Sequence, residues 1–288
     1  MKWLKKNGLT LILLLIMLIG LGLLGYPTFS DYWNSFHQSR AIASYAQSVA
    51  DMSQEKYDEI IESAENYNRA LSKTGIKWSL TEKEKKEYEK QLVVGDTGVM
   101  GYIYIPKIDI TLPIYHGTDE AVLQMAIGHL EGTSLPVGGR GSHCVLSGHR
   151  GLPSAKLFSD LDKMAEGDTF SLTIMNRTLT YEVDQIRVVE PTDLSDLSIE
   201  KGKDYCTLVT CTPYGINTHR LLVRGHRTQN PNGDADVIAD ALQIEPVYIA
   251  PFLAVPILLL LVMGVVIVSH RRIKAARRRR KALGLEDE

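Results

Sequence analysis

A cysteine closes the β-branched run Thr207-Leu-Val-Thr-Cys211, and an arginine follows nine residues later at Arg220. Leu208 to Thr210 reads as a strand and Pro213-Tyr-Gly as a turn, so Cys211 is expected at a strand end with its sulfur open to a cleft. Arg220 to Arg224 reads as the returning strand. A hairpin would then bring a permanent positive charge back toward the thiol, where it favours thiolate or holds a developing oxyanion. Such a pair is half of an acyl-transfer site. A lone cysteine in a strand is more often a small buried hydrophobe, so the reading needs a base.

His149 supplies a candidate. It lies in Cys144-Val-Leu-Ser-Gly-His149-Arg-Gly, just past a short apolar strand, with flanking glycines that let backbone pack closely. Seven other histidines compete. His37 falls in a helical region near an apolar span, His270 in a basic tail, and His116 and His129 at the ends of short surface segments. His143 and His226 sit in or beside strands, which suits structural roles, and His219 alternates to the face opposite Arg220.

Together, Thr-Leu-Val-Thr-Cys211 with Arg220 and Ser-Gly-His149-Arg-Gly-Leu-Pro-Ser-Ala-Lys-Leu-Phe resemble the sortases, specifically the class C, pilus-building branch. The likeness runs from about Gly98 to Arg227. It implies a β-barrel cysteine transpeptidase that cuts a Leu-Pro-x-Thr-Gly-like sorting signal between Thr and Gly, with His149, Cys211 and Arg220 as the catalytic set. The acyl group would pass to a lysine amine of a pilin subunit. Ser147, Thr210, Thr212 and Tyr214 are assigned to the substrate groove by neighbourhood alone. Many class C sortases carry an Asp-Pro-aromatic lid, and this chain has no Asp-Pro; Trp78 is the candidate for an atypical plug, or simply an anchor for a helix end.

These strand ends need a framework, and the period of the sequence supplies one. Val99 to Ile105, Ile108 to Ile114, His143 to Leu146, Thr169 to Ile174, Thr178 to Val183, Ile186 to Val189, Tyr205 to Thr210 and Arg220 to Arg224 read as short strands. Asn176-Arg177 is the expected hairpin turn. Helices are expected over Asp119 to Ile127, capped by Thr118 or Asp119, and over Ala155 to Met164. The fold class is therefore mainly β, an eight-stranded closed or nearly closed barrel with short helices. Ahead of it, Ile42, Tyr45, Val49, Tyr57, Ile60, Ile61, Ala64 and Tyr67 fall near helical spacing and predict two or three packing helices.

Two apolar stretches flank this body, and each is long enough for a bilayer core of about 30 Å. The chain divides into a cytoplasmic start (1–6), a membrane helix (7–26), a helical, lid-like region (27–95), the catalytic barrel (96–230), a linker (231–246), a second membrane helix (247–268) and a basic tail (269–288). Lys and Arg concentrate outside both spans, so both termini are expected in the cytoplasm, the catalytic domain outside, and the tail against anionic lipid. A cleaved signal peptide is the alternative for the first span, but no small-x-small site follows it.

The intervening part carries 21 Lys+Arg against 31 Asp+Glu, about −10, which argues against nucleic acid as ligand. Three cysteines cannot staple a secreted domain. Cys144 and Cys206 each precede a candidate catalytic residue by five positions, so strands in register would make them neighbours, as free thiols or as a disulfide. No metal-ligand spacing is present and no cofactor is expected. Besides a pilin polymerase, the residues admit a housekeeping sortase acting on a cell-wall precursor, or a non-catalytic membrane-tethered scaffold.

Overall fold

A computed structural model of the chain describes residues 2–230 and scattered positions within 259–275. Two compact units divide near residue 242, and the first holds the barrel and the helices before it.

Eight strands close into a barrel in the order β1-β2-β3-β4-β7-β8-β6-β5. They are β1 (Val99–Ile105), β2 (Ile110–His116), β3 (Ile127–His129), β4 (Ser142–Ser147), β5 (Thr169–Ile174), β6 (Arg177–Val189), β7 (Asp204–Thr212) and β8 (His219–Arg227). Most neighbours run antiparallel, but β2 with β3 and β4 with β7 are parallel. Alternation fills the interior: Ile103, Ile114, Leu146, Leu172 and Leu208 are wholly buried, together with Phe158 and Phe170. Closure leaves no free sheet edge to guard.

Five departures from the sequence reading are local. Thr178 to Val183 and Ile186 to Val189 are one strand, β6, interrupted by a register shift between Val183 and Gln185 where it pairs with β8. β3 has only three residues, too few for a period to show. Ala155 to Met164 is not a helix: the Phe158 N–H donates to His149 O at 3.2 Å and the Lys156 N–H to Asp31 Oδ1 at 2.6 Å. Those donors serve partners outside the segment, and only a 3-10 turn over Leu161–Lys163 remains. The 119–127 helix likewise shrinks to α4 (Glu120–Leu123), with Asp119 at its N-cap making no side-chain bond, and the β5–β6 turn falls at Met175 and Asn176, one position early.

The expected helices precede the barrel. α1 (Lys2–Ala50) continues through Pro27 instead of breaking near residue 26, so the apolar span and the packing helix are one rod. Its Leu15–Ala50 portion is the one described helix long and apolar enough to cross a membrane; the predicted second span, 247–268, lies mostly outside the described residues. Tyr45 locks α1 to the barrel: its hydroxyl donates to Met100 O at 2.9 Å and accepts from Met175 N at 2.7 Å. α2 (Gln54–Thr74) starts at Ser53, whose hydroxyl accepts from the Lys56 N–H, and buries Ile60, Ile61, Ala64, Asn68 and Leu71 at helical spacing. α3 (Glu82–Glu89) begins with a Thr81–Glu84 capping box and buries Tyr88 against His129.

Candidate active site

Pairing register does most of the assembly. Cys211 and Arg220 are direct partners across β7 and β8, so their side chains project from one face a cross-strand distance of about 5 Å apart at Cβ. β4 runs parallel to β7 with a constant offset from Ser142 opposite Asp204 to Ser147 opposite Val209. The offset continues past the strand: the Gly148 N–H donates to Val209 O at 3.1 Å, and Thr210 Oγ1 donates to Gly148 O at 2.7 Å. The next residue, His149, is therefore carried abreast of Cys211. The ends of β4, β7 and β8 thus meet at one end of the barrel, His149 arriving from about 60 residues before Cys211 and Arg220 from nine after it.

Glycine makes that approach possible. A Cβ on Gly148 would stand 2.7 Å from the Phe158 ring and 2.9 Å from Ile127 Cγ2, closer than packed atoms allow. Gly151 has φ +78° and lies against the Tyr214 ring, another position that a side chain would strain.

Cys211 is partly exposed, while the other two thiols are buried and free. Cys144 and Cys206 are register partners, as their spacing predicted, and alternation turns them to the interior face, away from Cys211. Burial pushes the Cys206 thiol well up, so it stays protonated and unreactive. Nε2 of His149 is buried without a hydrogen-bond partner, and the Glu120 carboxylate lies 3.9 Å from it. An unpaired ring nitrogen at that depth is costly unless it has work to do. The Arg220 guanidinium reaches the backbone oxygens of Asn217 at 3.3 Å and His219 at 3.1 Å, which holds it at the rim of the β7–β8 turn.

The rival histidines are engaged elsewhere. His143 bonds Ser198 O at 2.8 Å and Thr207 Oγ1 at 2.7 Å, and burial lowers its pKa. His129 is held between Tyr88 and Ser134, and His116 lies 2.6 Å from Gln91 O. His219 pairs with Thr212 and bonds the Thr218 hydroxyl; His226 Nδ1 is also buried without a hydrogen-bond partner, 3.8 Å from Asp184, but it lies at the far end of β8 from Cys211. His37 packs 5.0 Å from the Trp33 ring.

The groove assignments divide. Thr210 is buried and spends its hydroxyl on Gly148, so it holds the His149 loop and does not line a groove, contrary to the sequence expectation. Thr212 Oγ1 accepts from Arg150 Nη1 at 3.1 Å. Ser147 is half-buried at the end of β4, and Tyr214 is exposed beside Gly151. Trp78 is exposed, and its neighbour Lys77 donates its N–H to Gly132 O at 3.2 Å. That stretch lies against the loop entering β4, whereas Cys211, near the end of β7, and His149, just past β4, lie at the opposite strand ends, so the anchor reading fits Trp78 better than the plug.

Two residues escaped the sequence reading. Arg150 has a side chain only 8% exposed, and its guanidinium joins Thr212, Ser159 O and Asp162. It thereby ties the residue after His149 to the residue after Cys211. Its place in Gly-His-Arg-Gly was the available signal. Glu120 had none, because only the fold brings α4 to His149.

A closed barrel presenting a thiol, an imidazole and a guanidinium at one mouth defines a cysteine acyl-transfer enzyme. The sequence profile of the sortase domain matches residues 103–228. The chain belongs to the sortase family. Sortase C1 from Streptococcus agalactiae is 60% identical, with a TM-score of 0.65 over 66% of this chain and 99% of that one. Sortase C from Streptococcus pneumoniae is 45% identical, with a TM-score of 0.60 over 66% and 97% of the respective chains. Among curated proteins, sortase D from Bacillus subtilis is 31% identical over 130 residues, 44% of this chain and 63% of its own length. Sortase A from Streptococcus agalactiae is 33% identical over 128 residues, 43% of this chain and 51% of its own. The chain thus spans less than two thirds of the length of these two curated relatives.

Proposed function

We propose that the protein is a membrane-anchored cysteine transpeptidase of class C type that joins pilin subunits outside the cell. The observation that carries this reading is the register that aligns His149 with Cys211 and pairs Cys211 with Arg220. The Cys211 sulfur attacks the Thr carbonyl of a Leu-Pro-x-Thr-Gly-like signal, the Thr–Gly bond breaks, and a thioester forms. His149 gives a proton to the departing glycine amine and later takes one from the incoming lysine amine. Arg220 supplies fixed positive charge to the carbonyl oxygen as it becomes an oxyanion. Glu120 lies where it pairs with the imidazolium whenever His149 is charged.

Support for the pilin branch comes from the 60% and 45% identities to sortases C, the second of which was described for its pilin substrate specificity. An anchor at α1 and a second span at 247–268, with both termini cytoplasmic and the basic tail on lipid, rests on the sequence pattern. Housekeeping attachment to a cell-wall precursor is the second reading, favoured by the sortase A relatives. The test offers the full chain a sorting-signal peptide together with either a pilin subunit or a small cell-wall-type amine. Ligation to the pilin lysine in preference to the small amine supports polymerisation; the reverse preference supports the second reading.

A further inference from the structure

The barrel end opposite the catalytic mouth holds a cavity of 490 Å³. It is bounded on three sides: by α2 through Glu65 and Arg69, by the Gly138–Gly141 loop through Arg140, and by the strands through Arg177, Asp204 and Arg227. Asp204 lies seven residues before Cys211 on β7, which places the cavity about 23 Å from the sulfur. It belongs to no part of the site described above.

Its charges do not cancel. Glu65 is matched by Arg177 at 2.8 Å. Asp204 is turned inward, where its oxygens accept from the Gly139 N–H at 2.8 Å, Tyr181 OH at 3.1 Å and Ser142 Oγ at 3.3 Å. Burial raises its pKa, and these three donors and the nearby Arg227 act against that rise. Arg227 donates to backbone oxygens and stands 5.8 Å from the Tyr181 ring centroid. The guanidiniums of Arg69 and Arg140, both exposed residues, have no hydrogen-bond or ion-pair partner among the described residues, and they line the same concavity from different elements. Within a domain whose balance is about −10, a pocket with two uncompensated guanidiniums stands out.

We propose that this cavity is a binding site for a phosphate group, with Arg69 and Arg140 as its principal ligands and Arg227 at its floor. Guanidinium forks match phosphate oxygens bidentately, and a tetrahedral anion offers oxygens to three walls at once, which a planar carboxylate does not. The volume falls in the range of small-ligand pockets, so it admits more than a single ion. The phosphate is either a free anion or one unit of a phosphodiester chain, and the two are separated by experiment.

The full chain in detergent is titrated calorimetrically with inorganic phosphate and, separately, with a short glycerol phosphodiester oligomer, at constant ionic strength set with chloride. Saturable binding in the millimolar range or tighter is expected for at least one probe, weakened about tenfold or more in the Arg69→Gln/Arg140→Gln double variant. Peptide ligation and melting temperature are expected to stay unchanged in that variant. Tighter binding of the oligomer identifies the polymer as the source; tighter binding of inorganic phosphate identifies the free anion. An Arg69→Lys/Arg140→Lys variant should recover part of the affinity. Absence of saturable binding for both probes, or equal binding by the parent and the Gln variant, would overturn the proposal.

Discussion

Cys211 and Arg220 share one face of a strand pair, and the proposed chemistry rests on their two side chains. Replacing Cys211 by Ala removes the nucleophile, and ligation of a sorting-signal peptide should fall to background while far-UV circular dichroism is kept. Arg220→Lys keeps the charge but loses the planar fork; kcat/KM is expected to drop about 10–100-fold. Glu120 sits 3.9 Å from His149 Nε2 and is mostly exposed, so its contribution is that of a surface pair. Glu120→Gln should lower kcat by about two- to fivefold with KM unchanged, measured by peptide ligation at low ionic strength, and added salt should shrink the difference between variant and parent.

The elements set those residues in place through a few hydrogen bonds at strand ends. Thr210 Oγ1 holds Gly148 O at 2.7 Å, so Thr210→Val should cost about 1 kcal/mol, or about 2–4 °C in melting temperature, and also slow ligation as the His149 loop loosens. A drop in melting temperature with unchanged ligation would show that the bond serves folding alone. Much of this level was legible beforehand. The β1 and β5 limits, the pairing of Cys144 with Cys206, and the meeting of Cys211 with Arg220 follow from period and spacing. What was not legible depends on contacts between distant segments. The Ala155 to Met164 stretch has apolar residues at near-helical spacing, yet His149 O and Asp31 take the Phe158 and Lys156 N–H groups. Thr210 looked like a groove residue because its neighbour is Cys211, and alternation turned it inward.

At the scale of the molecule, α1 carries the apolar span and its later part is tied to the loop beside the catalytic mouth. Asn34 Nδ2 donates to Ser154 O at 2.7 Å, Asp31 accepts from Lys156 N, and Tyr45 joins Met100 to Met175. Stability should follow pH through the half-buried His116 and the buried His143. Burial lowers the pKa of His116 and His143 from the ordinary 6.5, so the folded state binds fewer protons than the unfolded one just below that pH. Their contribution is complete above 6.5 and is lost as pH falls through the depressed values. A melting-temperature series should therefore decline from about pH 6.5 downward, and His143→Gln should flatten it. The central claim is that Cys211 alone among the three thiols takes the acyl group. Intact-mass and peptide-mapping analysis of the full chain quenched in acid during turnover of a Leu-Pro-x-Thr-Gly peptide tests it most directly. An acyl adduct is expected on Cys211, accumulating when no amine is supplied and discharged when one is added; an adduct on Cys144 or Cys206, or ligation that persists in Cys211→Ala, would overturn that role for Cys211.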